Sequence, residues 1–413
     1  MTVSIQQEIS KDRAASARPL RGEDQRPRMV VGVTSAQTCL VLAGRLKALR
    51  EAGFAVTLVA SPGERLRERA AAEGVAAAPI AMRRQMAPLM DLWSLMRLIV
   101  LLVRLRPTIT DFSTPKAGLL GNVAAWVLGV PRRVYTLRGL KLESSRGWKR
   151  KVLLWSERLA ARLAHVVLCN SESLRAEALR HRIAPERKLR LLGHGSSNGV
   201  DIVRFAPAMQ AGGNAVRLRL GIGERERVVG FVGRLTRDKG IPELMLAYDE
   251  VLGRYPDCWL LLVGWFDAAE DALDQAWQAR IAQHPRICCT GYVSDAAEYY
   301  RAMDLLVLPT HREGFPNAVL EASACGLAVI TTESTGARDA VVAEVTGLLV
   351  PPGYPEALTE AMLRLLGDAA LRKTMGAAGR RWVVERFSQE RVLGLAVEFY
   401  RGLVEGQGIG NRE

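Results

Sequence analysis

A chain of 413 residues is too long for one compact core and fits two domains of ordinary size. Hydrophobic residues make up 49% and charged residues 24%, which excludes wholesale disorder, and a formal net charge of +14 points to a negatively charged partner: nucleic acid, an anionic membrane surface or a phosphorylated small molecule. Six scattered cysteines without a C-x-x-C pair read as reduced core residues of a cytosolic protein.

Residues 1–27 mix Lys11, Asp12 and Arg13 with Ser and Ala, lack the apolar stretch of a leader peptide, and read as a disordered tail. R28-M-V-V-G-V33 is a short buried strand, followed by a helical run on Leu40, Leu42, Leu46 and Leu49 that closes at Gly53, and F54-A-V-T-L-V-A60 is the next strand. A helix from about Glu64 to Glu73, a long helix before Pro107, a strand V134-Y-T-L137, a basic helix around Lys149 to Ala164 and a strand V166-V-L-C169 continue the alternation. The most apolar neighbourhood, Leu89 to Leu105, carries Asp91, Arg97 and Arg104 and is too charged and too short to span a bilayer. After a break at A206-P-A-M-Q-A-G-G-N-A215 the pattern restarts with strands at 227–232, 259–263, 287–290, 305–308 and 328–331. Strands alternating with helices predict parallel sheets covered on both faces, hence an α/β protein of two Rossmann-like domains. The expected division is 28–204, 205–387 and a last helical segment, 388–413, packing back toward the first domain.

Neither half has G-x-G-x-x-G after its first strand, which disfavours a nicotinamide dehydrogenase. The most informative stretch is L305-L-V-L-P-T-H-R-E313-G-F-P-N-A-V-L-E321, a strand, a tight loop with Gly314, and a helix opened by Pro316 and Asn317. Such a helix start faces the cleft at the carboxyl edge of the sheet, where amides of Gly314 and Phe315 can receive phosphate oxygens. Glu321, beyond the first turn, suits a ribose, and Glu313, in the loop, suits a sugar ring; solvated surface glutamates are the plain alternative. F231-V-G233-R234-L-T-R-D-K239-G240 adds a glycine loop with two cations, Arg as a fork and Lys as a point charge, matching a leaving diphosphate or simply forming a basic turn. G195-S-S-N-G199 formally matches the hydrolase elbow G-x-S-x-G, but no amphipathic helix follows it, so its glycines are read as an interdomain hinge.

Together G233-R234...K239-G240 and E313-x7-E321 resemble the retaining glycosyltransferases of family four, which have the GT-B fold, two Rossmann-like domains facing each other across a cleft. S61-P-G-E64, T114-P-K-A-G-L-L-G121, Y135-T-L-R-G139 and G193-H-G-S-S-N-G-V-D201 resemble the branch that builds capsular and lipid-linked polysaccharides, so the likeness runs from about Val30 to Gly353. The resemblance implies that Arg234 and Lys239 neutralise the donor diphosphate, with Gly233 in their loop. It implies that Glu321 binds the ribose, Glu313 contacts the donor sugar, and the backbone at Tyr292 and Val293 takes the base. Arg138 stands where relatives often have a His that touches the sugar, and Asp339 where a Glu is usual. The implied donor is a nucleotide sugar, UDP-linked, and the family is usually metal-independent; no D-x-D or His cluster suggests a metal site, and no cofactor is expected.

Basic residues beside interfacial Trp occur twice: Arg83, Arg84, Arg97 and Arg104 with Leu92 and Trp93, and Lys149, Arg150 and Lys151 with Trp148 and Trp155. This suits helices lying on an anionic leaflet, with an ordinary core helix and a solvated basic face as the alternative. In this fold the first domain holds the acceptor, which implies a polyprenyl-diphosphate-linked glycan, with Lys116 of the T-P-K motif added to its side. The protein is then expected in the cytoplasm, peripheral to the inner face of the cell membrane. No nucleic-acid motif is present. A nucleotide-sugar epimerase or a non-catalytic sugar-nucleotide binder of the same shape is the alternative.

Overall fold

The computed structural model describes residues 26–83, 85–207, 212–267 and 271–406; most of the expected tail, Arg84 and the last seven residues lie outside them. The first sheet has seven parallel strands: β1 (Arg28–Gly32), β2 (Ala55–Ala60), β3 (Ala76–Pro79), β4 (Ile109–Ser113), β5 (Arg132–Leu137), β6 (Val166–Cys169) and β7 (Leu189–Leu191). Their order is β3-β2-β1-β4-β5-β6-β7, with Val31 opposite Leu58 on one side and Asp111 on the other. Six parallel strands form the second sheet: β8 (Val228–Val232), β9 (Trp259–Val263), β10 (Ile287–Cys289), β11 (Leu305–Leu308), β12 (Ala328–Thr332) and β13 (Gly347–Val350), ordered β10-β9-β8-β11-β12-β13. In both sheets the order reverses beside the first strand, which opens a crevice at the carboxyl ends of the strands.

Helices α1 (Arg45–Glu51), α2 (Glu64–Glu73), α3 (Pro88–Leu105), α4 (Pro115–Val127), α5 (Gly147–Leu163) and α6 (Glu172–Arg180) cover the first sheet. The second is covered by α7 (Gly212–Arg219), α8 (Ile241–Arg254), α9 (Gln275–Gln283), α10 (Ala297–Ala302), α11 (Asn317–Ala324), α12 (Pro355–Gly367) and α13 (Ala369–Phe387). The chain crosses back through a bridge between Val200 and Ser388, and α14 (Gln389–Glu405) lays Tyr400 and Leu403 into a first-domain core with Leu46, Leu49 and Ile109. Tyr400 also donates from its hydroxyl to Asp111 at 2.7 Å, a carboxylate buried in β4 that accepts from Thr136 at 2.7 Å.

Several elements differ from the sequence reading. The expected helix from Leu40 to Gly53 is a 3₁₀ segment, Ala36–Leu42, and then α1, because Gly44 at φ +76° turns the chain between them. The long helix before Pro107 starts only at Pro88, so Arg83 precedes it in irregular chain. Strands β3 and β4 carried no strand signal: A76-A-A-P79 is poor in β-branched residues, and I109-T-D-F-S113 hides its charge only through the Asp111 partners.

Candidate active site

In the second domain the loops after β8 and β11 lie side by side. Strand β8 runs into Gly233 and Arg234, and a short 3₁₀ turn, Arg237–Lys239, ends at Gly240, whose φ of +73° lets it lie against the carbonyl of Pro309. From β11 the chain enters Glu313, Gly314 and Phe315, and Pro316 caps α11 without any side-chain cap bond, so the helix start is open to an anion. Lys239 Nζ closes onto Glu313 Oε1 as an ion pair in which both side chains are mostly buried. Arg234 is held by Asp267 at 2.8 Å and faces Asp271 at 3.9 Å, carboxylates that keep its guanidinium firmly charged against the cost of burial.

Glu321 lies in the second turn of α11, where Tyr300 of α10 donates to its Oε2 at 2.8 Å. Burial pushes the Glu321 carboxyl up, and the Tyr300 bond draws it back. Phe315 packs on Phe387 at 5.2 Å between ring centroids, at the crossing where the chain returns to the first domain. Tyr292 follows β10 and is half exposed; Trp265 lies 5.5 Å away edge-on, and the Arg65 guanidinium, from α2 of the first domain, sits 4.4 Å over its ring. Val293, beside it, packs against the second-domain core.

The two domains touch at this edge. A methyl on Gly314 would strike the Arg138 carbonyl, with the carbonyl carbon at 2.6 Å, and one on Gly139 would lie 3.3 Å from Gly314 N. Arg138 therefore meets the loop at Gly314 with its backbone. Its guanidinium turns into the first domain, donating from Nε to Ser113 Oγ at 3.0 Å and from Nη1 to Ser197 Oγ at 2.8 Å, while Nη2 is buried without a partner. Burial and the nearby Arg45 push its pKa down to about 10, which leaves it cationic at neutral pH. Asp339 is accounted for too: it accepts from the backbone N–H of Ser173 at 3.1 Å, across the domains.

A cleft of about 1420 Å³ lies between the domains. Arg234, Asp267 and Asp271 line one wall, and Arg83, Arg146 and Lys149 are on the other. Lys239, Glu313 and Glu321 are not on its walls. Lys116 is engaged elsewhere, with Asp91 at 2.7 Å, where it ties α4 to α3. Arg150 and Lys151 are exposed, Arg150 beside a smaller hollow with Glu177 and Arg180. Among the described residues no group of three or more His, Cys, Asp or Glu is placed to hold a metal ion.

Family models match both halves: "Glycosyl transferases group 1" over residues 226–368 and "Glycosyl transferase 4-like domain" over residues 41–195. The capsular polysaccharide biosynthesis glycosyltransferase CapM of Staphylococcus aureus is 35% identical over 87% of this chain and 92% of its own. The chain belongs to the group 1 glycosyltransferases. A second relative of this glycosyltransferase, the UDP-Gal:alpha-D-GlcNAc-diphosphoundecaprenol alpha-1,3-galactosyltransferase of Escherichia coli, is 28% identical over 70% of this chain and 74% of its own. Among solved structures, the sucrose-phosphate synthase of Thermosynechococcus elongatus superposes with a TM-score of 0.76 at 22% identity, covering 92% of this chain and all of that one. Anabaena HepE in complex with UDP-glucose superposes with a TM-score of 0.75 at 19% identity, covering 91% and 99%. Both likenesses establish the GT-B fold of this glycosyltransferase.

Sequence reasoning did not find the carboxylates that hold Arg234 or the Tyr300 hydroxyl on Glu321, and it assigned Lys149 to the acceptor and membrane side without the cleft wall on which that residue sits. Asp267 and Asp271 lie in a loop after β9 with no motif of its own, and each of these contacts is made between distant segments.

Proposed function

We propose that this glycosyltransferase moves a sugar from a nucleoside-diphosphate donor, UDP-linked, onto a polyprenyl-diphosphate-linked glycan with retention of anomeric configuration. The observation that carries this reading is the convergence of Arg234, the Lys239–Glu313 pair and the open start of α11 on the loop that Arg138 and Gly139 touch from the other domain. As the bond from sugar C1 to the diphosphate breaks, negative charge grows on the leaving phosphate, and Lys239, Arg234 and the α11 amides stabilise it. The acceptor hydroxyl attacks C1 from the face the diphosphate leaves and passes its proton to the freed phosphate oxygen, so that the glycoside and the nucleoside diphosphate are the two products. Glu321 holds the ribose, and the backbone at Tyr292 and Val293 holds the base. The names of the CapM and galactosyltransferase relatives support a role in surface polysaccharide assembly on a lipid carrier. The test is a panel of UDP- and GDP-sugars against polyprenyl-diphosphate glycans, with products read by mass spectrometry and the new anomeric centre by NMR; release of free nucleotide diphosphate without a glycosylated lipid would overturn the reading.

On this reading the two cations and a helix dipole do the work a divalent ion does elsewhere. Activity is expected to survive EDTA, and complete loss restored by magnesium or manganese would contradict it.

Acceptors of this kind lie in a membrane, and the outer layer α3–α4–α5 offers a surface for one. Leu89, Leu92, Trp93, Met96, Val100 and Val103 form an exposed stripe along α3 at helical spacing, opposite buried Ser94, Leu98 and Leu102. Trp148, Val152 and Trp155 do the same on α5, with exposed Arg97 and Arg104 flanking the first stripe and Lys151 the second, while Arg150 is on the opposite face of α5. No helix among the described residues is long and apolar enough to cross a membrane. On the proposed reading the layer lies on the cytoplasmic face of the bilayer. Each large apolar side chain moved out of water contributes about 1.5–3 kcal/mol, against about 1 kcal/mol for a basic residue at an anionic leaflet. Salt is therefore expected to weaken sedimentation with anionic vesicles without abolishing it, whereas Leu92→Ser with Trp93→Ser abolishes it. Full binding by that double variant would place the membrane contact elsewhere.

A further inference from the structure

The order β10-β9-β8-β11 sets the loops after these strands side by side, and pairing continues past the strand ends. Gly233 N donates to Val263 O at 3.0 Å, Leu235 N donates to Trp265 O at 2.9 Å, and Gly264 bridges Gly291. Strands β8 and β9 each run into a glycine and then a large side chain, Arg234 and Trp265, and β10 does so one residue later, at Gly291 and Tyr292. Neighbouring strands lie about 4.8 Å apart, so the Tyr292 and Arg234 loops, two strands from each other, are separated by roughly 10 Å. A ribose fills such a gap between a base and its diphosphate.

Opposite Tyr292 stands Arg65, in the first turn of α2. Helix α2 follows β2 and so begins at the carboxyl edge of the first sheet, on the cleft. The Arg65 guanidinium crosses to the second domain and lies 4.4 Å over the Tyr292 ring. Other arginines at this edge have oxygen partners: Arg234 has Asp267 at 2.8 Å, and Arg138 has Ser113 Oγ at 3.0 Å. Half-buried Arg65 makes no hydrogen bond or ion pair with another described residue. The ring contact holds the cation in place but offers no oxygen to its N–H donors.

We propose that Arg65 is a specificity-determining residue: its guanidinium donates to a carbonyl oxygen of the donor nucleobase and so selects uracil or guanine over adenine, which has no carbonyl. That the ligand is a nucleotide with its base at Tyr292 rests on the function proposed above. The backbone at Tyr292 and Val293 meets the base from the second domain and Arg65 meets it from the first, so the base is read only when the two domains come together. Adenine would set an amino group, itself a donor, against the guanidinium, and a site built to donate to an oxygen rejects such a base.

The probes are UDP and ADP, which share the ribose and diphosphate and differ only in the base, with binding to the full-length protein measured by calorimetry. Wild-type protein is expected to bind UDP about tenfold or more tighter than ADP, the order for one charge-assisted hydrogen bond. Arg65→Ala is expected to lose that factor for UDP and to leave ADP nearly unchanged, so that the preference disappears. Arg67→Ala, an exposed arginine of the same helix, keeps it. An equal loss for both nucleotides would make Arg65 a general contact between the domains, and that result overturns the assignment. So does an unchanged UDP affinity in Arg65→Ala, or ADP binding by wild-type protein as tight as that of UDP. Sugar transfer to polyprenyl-diphosphate glycans, assayed on the same preparations, separates the two readings. Transfer from a UDP-sugar with UDP affinity indifferent to Arg65→Ala sinks the base contact alone; UDP binding that depends on Arg65 without any transfer sinks the proposed function and leaves the base contact standing. Wild-type protein that binds neither nucleotide removes both.

Discussion

Lys239→Ala is expected to lower kcat by about a hundredfold or more, the usual cost of one preorganised contact to charge that develops in the transition state. Donor KM should move far less, because the charge Lys239 meets is smaller on the intact donor than on the departing diphosphate. Its partner complicates a single substitution: removing Lys239 leaves Glu313 as an uncompensated, mostly buried carboxylate beside the incoming phosphates. The double variant Lys239→Ala with Glu313→Gln separates the two effects. If Lys239 acts on the diphosphate, the double variant stays as slow in kcat as Lys239→Ala; if Lys239 only positions Glu313, the double variant equals Glu313→Gln alone. Glu321→Gln provides the contrast. The ribose it would hold carries no developing charge, and the amide oxygen can still accept from Tyr300, so the loss appears in donor KM with kcat nearly kept. Steady-state kinetics on the four proteins decides among these, and wild-type kcat in Lys239→Ala would mean that the diphosphate lies elsewhere.

Much of the scaffold was legible because its strands are plain apolar runs. W259-L-L-L-V263, L305-L-V-L308 and V166-V-L-C169 are buried on both faces and have the bounds that the sequence predicts. I109-T-D-F-S113 escaped notice for the opposite reason: its Asp111 is tolerated only because Thr136 and Tyr400 reach it, and Tyr400 arrives from the far end of the chain. The site followed the same rule. Loop residues such as Gly314 and Lys239 announce themselves through local spacing, whereas the pairing of Lys239 with Glu313 spans 74 positions and exists only once β8 and β11 lie side by side. The basic stretch Arg146 to Lys151 is the clearest case of a half-readable signal. Its charge and Trp content pointed to a membrane, but only the start of α5 at the cleft edge separates Lys149, on the cleft wall, from Arg150 and Lys151, which are not on it.

Gly314→Ala is expected to cost more than a hundredfold in kcat/KM while leaving the unfolding temperature within a few degrees of wild type. Loop 313–314 is held between two backbones: the Arg138 carbonyl of the first domain on one side, and Gly336 of the second on the other. Gly336 has φ +76°, and a methyl on it would lie 2.5 Å from the Gly314 carbonyl oxygen. A methyl on Gly314 cannot move toward Gly336, so it must push the Arg138–Gly139 turn, and with it the first domain, away from loop 313–314. A displacement on the order of 1 Å at reacting groups is enough for about a hundredfold loss. Stability is nearly spared because each sheet has its own hydrophobic core, and the contact at Gly314 is made between them. Gly402→Ala is the control. Gly402 lies in the interior of α14 with nothing within 4 Å of the added carbon, so activity should be kept and the helix gain up to about 1 kcal/mol. A Gly314→Ala protein that is fully active would show that the domains need not close at this loop for transfer; one that is inactive and unfolded at low temperature would assign Gly314 to the fold of the second domain instead of to its meeting with the first.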